Sequence, residues 1–181
     1  DKKVIIIDLD MRRAKVHEKY SLSNEKGMST LLTNKHLLPH VIQHTEVENI
    51  DAITAGPVPP NPSELIMSQM MQSVTKHLLD TYDYVLIDTP PVGLVTDSMI
   101  LMKNSDLNLF VLRANYSKKD FIKNINRFVS DHDLKSSGII LNAVELNKNS
   151  GYGYGYGYGY GYGYGYGYGV EKKKPWWKRI F

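Results

Sequence analysis

Three aspartates follow apolar runs of the sequence, where their carboxylates could hold a metal ion or accept a proton. Asp8 and Asp10 follow the run 4–7, and Asp88 ends the run 84–87 just before Thr-Pro-Pro. If the extended geometry persists, Asp8 and Asp10 share a side, so the pair could hold Mg²⁺ with its waters or take a proton from a hydroxyl. The alternative is that each aspartate caps a following turn or helix, the commonest role at a strand end.

Short runs rich in β-branched residues alternate with helical patterns along the first 150 residues. We expect strands in KVIIIDLD, NIDAITA, YDYVLIDTPP, LNLFVLRA and GIILNAV, which begin at residues 3, 49, 82, 107 and 138. Segment 61–80 predicts one helix, capped by Asn61 or Ser63, and segment 118–132 predicts another. The apolar faces would comprise Ile66, Met70, Val74 and Leu78 in the first helix and Phe121, Ile125, Phe128 and Val129 in the second.

This alternation predicts a doubly wound α/β fold with a mainly parallel sheet. In such sheets the ligand site lies beyond the carboxyl ends of the strands. The three aspartates would therefore stand at the edge where a ligand binds.

Composition limits the classes of function. The 181 residues, 42% of them hydrophobic, suffice for one domain and a tail. The net charge of +3 lies partly in the last residues, which argues against a nucleic-acid-binding face. With no cysteine there is no disulfide or thiolate metal site, and no run is apolar enough for a membrane span. Because the chain starts at Asp1 rather than Met, we expect it to be a piece of a longer protein.

A glycine-tyrosine repeat at residues 151–169 sets the C-terminal part apart. It could be a low-complexity element prone to cross-β pairing, an aromatic linker, or a substrate built into the chain. The following KKKPWWKRIF has a composition suited to a membrane interface, and a plain flexible terminus or a docking peptide is the alternative. His36, His40 and His44 are spaced four apart, but Pro39 interrupts a common helix, so we expect them to be solvated.

Several segments together resemble the bacterial tyrosine kinases that regulate capsular and exopolysaccharide synthesis. VIIIDLDMRR at residues 4–13 resembles their Walker A′ motif, and YVLIDTPP at 84–91 resembles their Walker B motif. AGPVPPNPSELI from Ala55 is similar to the family's intervening segment, and GMSTLL from Gly27 and GIILNAV from Gly138 stand where the family has counterparts. The tyrosine-rich tail completes a resemblance over essentially the whole chain, which implies a P-loop NTPase-like fold of the deviant Walker type.

The resemblance implies a non-specific protein-tyrosine kinase, a transferase that uses ATP and Mg²⁺ to phosphorylate its own tail. Asp8 and Asp10 would organise Mg²⁺ and assist deprotonation of the tyrosine, and Asp88 would hold the Mg²⁺ hydration shell. Arg12 would have a supporting role near the phosphates or at a subunit contact. Asn142 resembles a position that often reads the nucleotide base, with a turn-forming asparagine as the alternative. The acceptors would be Tyr152, Tyr154, Tyr156, Tyr158, Tyr160, Tyr162, Tyr164, Tyr166 and Tyr168.

The chain departs from the family in one large respect. It has no G-x-x-x-x-G-K-[ST] stretch, the Walker A loop whose amides and lysine cradle phosphates. In the family that loop precedes the A′ strand, together with a central strand and a helix. We therefore expect residues 1–149 to form a partial P-loop kinase domain and residues 150–181 to form a flexible autophosphorylation tail. We also expect the chain alone to be inactive and to have an unpaired sheet edge where the missing strand would lie.

For the parent protein the resemblance implies the cytoplasmic face of the bacterial inner membrane. A polysaccharide co-polymerase membrane region would lie on the same chain or on a partner, and a cognate tyrosine phosphatase would reverse the modification. Subunits would form a ring and present their tails to one another, and phosphorylation would loosen the ring by repulsion.

Two other classes of function stay open at this point. A partitioning-type ATPase, working as a nucleotide-switched dimer, would leave the tail tyrosines unmodified even in a complete protein. A non-catalytic assembly module would lack a P-loop upstream as well.

Overall fold

The computed structural model of the chain describes residues 2–91 and 98–145. Its strands and helices alternate along the chain, as the sequence predicts. In order they are β1 (Val4–Asp8), α1 (Val16–Lys19), α2 (Met28–Leu32), a 3₁₀ turn (Leu38–His40), β2 (Gln43–His44), β3 (Ile50–Ile53), α3 (Pro62–Ile66), α4 (Gln69–Thr81), β4 (Tyr84–Asp88), α5 (Ser98–Asn104), β5 (Asn108–Arg113), α6 (Asp120–Asp131) and β6 (Ser137–Asn142).

The strands form two sheets. Four strands make the first sheet in the order β2-β3-β1-β4, in which β1 is parallel to β3 and to β4, and β2 is antiparallel to β3. The parallel pair β5 and β6 makes the second sheet. All five predicted strands are present, and the mainly parallel pairing agrees with the predicted fold class. β2 was not predicted, because its two residues, Gln43 and His44, carry no apolar pattern.

The core of the first sheet is built around its inner strand β1. Ile5 and Ile7 of β1 have no exposed surface, and Leu78 of α4 and Met28 of α2 are equally buried. Burying each such side chain contributes roughly 1.5–3 kcal/mol. β1 is thus the most deeply buried strand in the described part of the chain. Its packing fixes the position at which Asp8 to Asp10 leave the sheet.

The helix predicted over 61–80 is two helices. α3 ends after Ile66, and Ser68 starts α4 as its N-cap, with Oγ accepting the amide of Met71 at 3.2 Å and donating to the carbonyl of Leu65 at 2.7 Å. Serine competes with helical hydrogen bonding in this way, so the single-helix prediction was wrong at this point. After the break Met71 is fully buried, whereas the predicted Met70 is only partly buried.

The second predicted helix, α6, covers β5 through Phe128, whose ring meets Phe110 edge-on at 6.2 Å. Phe121, predicted on the same face, is instead 50% exposed because it lies in the first turn, beyond this contact. Of the three histidines, His40 and His44 are exposed as predicted, whereas His36 is half-buried. Across the described ranges we find no helix that is both long and apolar enough to cross a membrane.

Candidate active site

Asp8 and Asp88 stand side by side at the carboxyl edge of the first sheet. They end β1 and β4, and the parallel register pairs them directly with each other. The amide of Leu9 continues the ladder by donating to the carbonyl of Asp88 at 2.9 Å. Neighbouring strands lie about 4.8 Å apart, so the two carboxylates arise from adjacent points of one edge. The sequence predicts aspartates at the carboxyl ends of these strands, and the register adds that Asp8 and Asp88 are direct neighbours.

Asp8 has no exposed surface, and its carboxylate is held by backbone amides. Oδ1 accepts the amide of Asp10 at 3.1 Å, and Oδ2 accepts the amides of Lys15 and Val16, each at 3.2 Å. Burial raises the pKa of Asp8, against the lowering effect of the three amides. The capping role left open by the sequence is thus present: Asp8 fixes the loop after β1 and the start of α1.

Asp10 and Arg12 lie in the turn that this capping holds in place. Asp10 is half-buried, and its Oδ1 and its backbone carbonyl each lie 3.1 Å from the amide of Arg13, which closes the turn 10–13. The side chain of Arg12 is exposed. The Asp10 carboxylate accepts this one hydrogen bond from the described residues, whereas the Asp8 carboxylate accepts three, so the Asp10 carboxylate has more free acceptor positions.

Asp88 completes an acidic cluster with Asp8 and Asp10. Although Asp88 is exposed by surface area, the surrounding protein removes enough water to raise the pKa of its carboxyl, and the charges of Asp8 and Asp10 raise that pKa further. The like charges of these carboxylates at one sheet edge repel one another, and a cation bound nearby would reduce that repulsion.

The donor chemistry of this cluster fits Mg²⁺, which prefers oxygen ligands. Over residues 2–91 and 98–145, no three acidic or histidine side chains are gathered closely enough to hold a metal ion by themselves. Mg²⁺ keeps several of its waters and is usually bound through one or two carboxylates plus substrate phosphates. Asp8 and Asp88 suit a metal that arrives with a phosphate ligand rather than a resident metal.

Asn142 is placed apart from the acidic cluster. It ends β6 in the second sheet, is exposed, and pairs in register with Arg113. Its Oδ1 accepts the amide of Ala143 at 2.8 Å, so the side chain takes part in the turn after the strand. The nine candidate acceptor tyrosines and the KKKPWWKRIF terminus lie outside the described residues.

Asn24 contacts the loop after β3 at the same edge, a contact that the sequence does not predict. The Asn24 amide group binds both backbone groups of Gly56, which lies 32 residues later in the chain. An asparagine near a glycine suggests a local turn, and no pattern in the sequence joins two loops so far apart.

The comparisons with known proteins agree with this geometry. A family profile described as AAA domain matches residues 1–137. The putative tyrosine-protein kinase CapB of Staphylococcus aureus is 39% identical over 148 residues, which cover 82% of this chain and 65% of CapB. The tyrosine-protein kinase etk of Escherichia coli K12 is 38% identical over 144 residues, covering 80% of this chain and 20% of etk. The chain therefore spans less than two thirds of either relative.

Solved structures of tyrosine kinases are also similar to this chain. The kinase domain of the E. coli tyrosine kinase ETK superposes with a TM-score of 0.76 at 37% identity, covering 87% of this chain and 62% of that one. The chimerical protein CapA2B2 gives 0.72 at 37% identity, covering 77% and 62%. The Pyrococcus furiosus cell division ATPase MinD gives 0.60 at 21% identity, covering 77% and 59%, and shares the fold. These neighbours confirm the predicted P-loop NTPase-like α/β class.

Proposed function

The chain belongs to the bacterial tyrosine-kinase family, and we propose that it is the C-terminal part of a protein-tyrosine autokinase that transfers the γ-phosphoryl group of ATP to its own tail. The observation that carries the proposal is the register pair Asp8 and Asp88, with Asp10 beside it, at the carboxyl edge of a parallel sheet. Phosphoryl transfer depends mostly on positioning and charge neutralisation, and this edge supplies carboxylates that could hold a neutralising Mg²⁺ and accept a proton.

In this proposal the three acidic side chains divide two tasks between them. Asp8 and Asp88 would hold Mg²⁺ with its waters, and the bound ion would supply neutralisation of the phosphate charge. Tyrosine has an unperturbed pKa of about 10, so its phenol is protonated at neutral pH and needs an acceptor. Asp10 takes the phenol proton as the phenol oxygen bonds to the γ-phosphorus and the bond from that phosphorus to the ADP oxygen breaks. Arg12, exposed beside this turn, supports the phosphates or a subunit contact.

The nucleotide-binding part of the site comes, in our proposal, from an upstream segment of the parent protein. Among the described residues, β4 and β5 each have a strand on one side only. Leu86 of β4 is 50% exposed and Val111 of β5 is 62% exposed, which is unusual for apolar residues of strands inside a doubly wound sheet. Both observations support a further parallel strand between β4 and β5, carrying the Walker A loop. That strand would join the sheet of Asn142 to that of the acidic cluster, and there Asn142 would bind the nucleotide base.

The tail would be the substrate. Nine tyrosines spaced by glycines between Tyr152 and Tyr168 offer successive acceptors along the chain. Each phosphotyrosine adds about −1.5 to −2 charges, enough for nine of them to outweigh the five basic residues of EKKKPWWKRIF. We propose that such repulsion loosens a ring of subunits which present their tails to one another.

The setting of the parent follows from the same family membership. We propose that it acts at the cytoplasmic face of the bacterial inner membrane, with a polysaccharide co-polymerase region on the same chain or on a partner. Its phosphorylation state, reset by a cognate tyrosine phosphatase, would regulate polymerisation and export of a capsule or exopolysaccharide.

The intact mass of the parent protein tests this proposal directly. After incubation with Mg²⁺ and ATP, we expect phosphate-sized increments located by fragmentation on Tyr152 to Tyr168. They should vanish in Asp88→Asn and persist in Asp80→Asn, a matched change at an exposed position of α4. An unmodified tail on a protein that hydrolyses ATP would favour a nucleotide-switched ATPase instead, and a parent that binds no nucleotide would favour an assembly module.

A further inference from the structure

Segment 23–29 is fastened to the carboxyl end of β3 by a dense set of hydrogen bonds. The amides of Met28 and Ser29 donate to the carbonyls of Thr54 and Ala55 at 2.8 and 2.9 Å. In the other direction, the Thr54 hydroxyl lies 3.1 Å from the carbonyl of Ser23 and 3.0 Å from that of Lys26. These bonds tie two loops that are distant in sequence into one unit.

Asn24 makes the last contact of this unit, and it uses both the oxygen and the nitrogen of its side-chain amide. Its Oδ1 accepts the amide of Gly56 at 2.8 Å, and its Nδ2 donates to the carbonyl of Gly56 at 3.2 Å. Gly56 has a φ of +77°, a conformation that side-chain-bearing residues rarely adopt, and a Cβ there would stand 2.6 Å from Ser29 Oγ. Asn24 thus holds a turn that requires glycine.

The turn at Gly56 sets the direction of a stiff segment. Residues 57–61 read Pro-Val-Pro-Pro-Asn, and we call them the proline arm. Proline fixes its own φ and restricts the residue before it, so the arm propagates whatever direction Gly56 gives it. Val58 in the arm is 70% exposed.

The proline arm leaves the sheet beside the acidic cluster. Ile53, the last residue of β3, pairs with Ile7, which directly precedes Asp8. Because the strand order is β3-β1-β4, the arm starts on the side of Asp8 away from Asp88. The other edge of β4, which pairs with no strand within residues 2–91 and 98–145 and where the nucleotide loop is proposed to lie, is on the opposite side. The chain that leads into the arm therefore leaves the sheet on the side of the site left for the acceptor.

We propose that Asn24 is a positioning residue for phosphoryl transfer. By holding Gly56, it sets where the proline arm stands and so shapes the approach of the acceptor tyrosine to Asp10. The inference rests on the proposed autokinase function and adds to it a residue that touches neither nucleotide nor metal. Loss of Asn24 should slow transfer to tyrosine while leaving nucleotide affinity unchanged.

The test is Asn24→Ala in the parent protein, with three measurements on each variant. Amide exchange at Gly56 should become about tenfold faster, since two hydrogen bonds of modest net strength are lost. Of residues 56–60 only Gly56 and Val58 carry an amide hydrogen, so the signal is simple to assign. The rate of tail phosphorylation should fall by about ten- to a hundredfold, because a small misplacement of the reacting groups slows the reaction by a factor of this size. The Kd for ATP should stay within about twofold.

Two further variants keep the result interpretable. Glu25→Ala changes the exposed neighbour of Asn24 and should leave all three measurements unchanged. Gly56→Ala keeps Asn24 but strains the same turn, and it should give the same split between rate and affinity. Equal losses of ATP affinity and rate in Asn24→Ala would overturn the inference in favour of a general structural role.

The failure of this inference differs from the failure of the proposed function. A wild-type parent whose tail stays unmodified would overturn both. An active wild type with an equally active Asn24→Ala variant would overturn the role of Asn24 alone, as would unchanged exchange at Gly56.

Discussion

Asp8 and Asp88 are register partners on adjacent strands, yet Asp8 is fully buried under three amide donors and Asp88 is exposed. The pair therefore combines a fixed carboxylate with an accessible one. Substitutions of the two residues should have opposite effects on stability, even though both should abolish phosphorylation.

We expect Asp8→Asn to destabilise the fold by about 1–3 kcal/mol. Asparagine has one acceptor oxygen, so its amide nitrogen would face either the amide of Asp10 or the amides of Lys15 and Val16, leaving donors unsatisfied. Urea denaturation of the parent protein measures this loss. A variant as stable as the wild type would show that the capping of the loop after β1 contributes nothing to stability.

In the parent protein without metal, Asp88→Asn should slightly stabilise the fold at neutral pH, because it relieves repulsion from Asp8 and Asp10. Exposure and screening limit the gain to about a few tenths of a kcal/mol. Mg²⁺ with a nucleotide should stabilise the wild type much more than this variant. Thermal denaturation with and without Mg²⁺ measures both effects, and equal stabilisation of the two proteins would contradict a metal role for Asp88.

The pH dependence of the metal-free protein follows from the same raised pKa values. A carboxyl whose pKa is higher in the folded than in the unfolded protein binds its proton at a higher pH when the protein is folded. The free energy of unfolding therefore rises as the pH falls from the folded pKa toward the unfolded pKa of about 3.9. For Asp88 the rise should be present in the wild type and absent in Asp88→Asn. The difference in unfolding free energy between the two proteins should therefore shrink with falling pH. A constant difference would contradict the raised pKa of Asp88.

The sequence predicted those elements whose signal lies within a few consecutive residues. β1 and β4 are uninterrupted apolar runs ending in aspartate, so both the strands and the place of Asp8 and Asp88 at their carboxyl ends could be predicted. The division of the predicted helix at Ser68 depends on a hydrogen bond between the Ser68 hydroxyl and the amide of Met71. The spacing of apolar residues does not predict such a bond. The contact of Asn24 with Gly56 arises only when tertiary packing brings two loops together.

Ser68→Ala should destabilise the fold by about 0.5–2 kcal/mol, since Ser68 Oγ caps α4 through the amide of Met71. Ser73→Ala is the matched control. Ser73 lies exposed inside the same helix, where its Oγ only bonds back to the carbonyl of Gln69, so alanine there should be neutral or stabilising. Urea denaturation compares the two variants. Equal effects would mean that the break between α3 and α4 is not maintained by the cap.

The exposed face of β4 provides a prediction whose sign depends on which protein carries the change. In this chain Leu86 is 50% exposed on a strand that has one unpaired edge among the described residues, a combination that favours self-association. A charge there, as in Leu86→Lys, should reduce association, which light scattering measures. In the parent, the proposed upstream strand and its helix would bury Leu86, so the same change should cost about 2 kcal/mol or more. An unaffected parent would contradict an upstream element packed on β4.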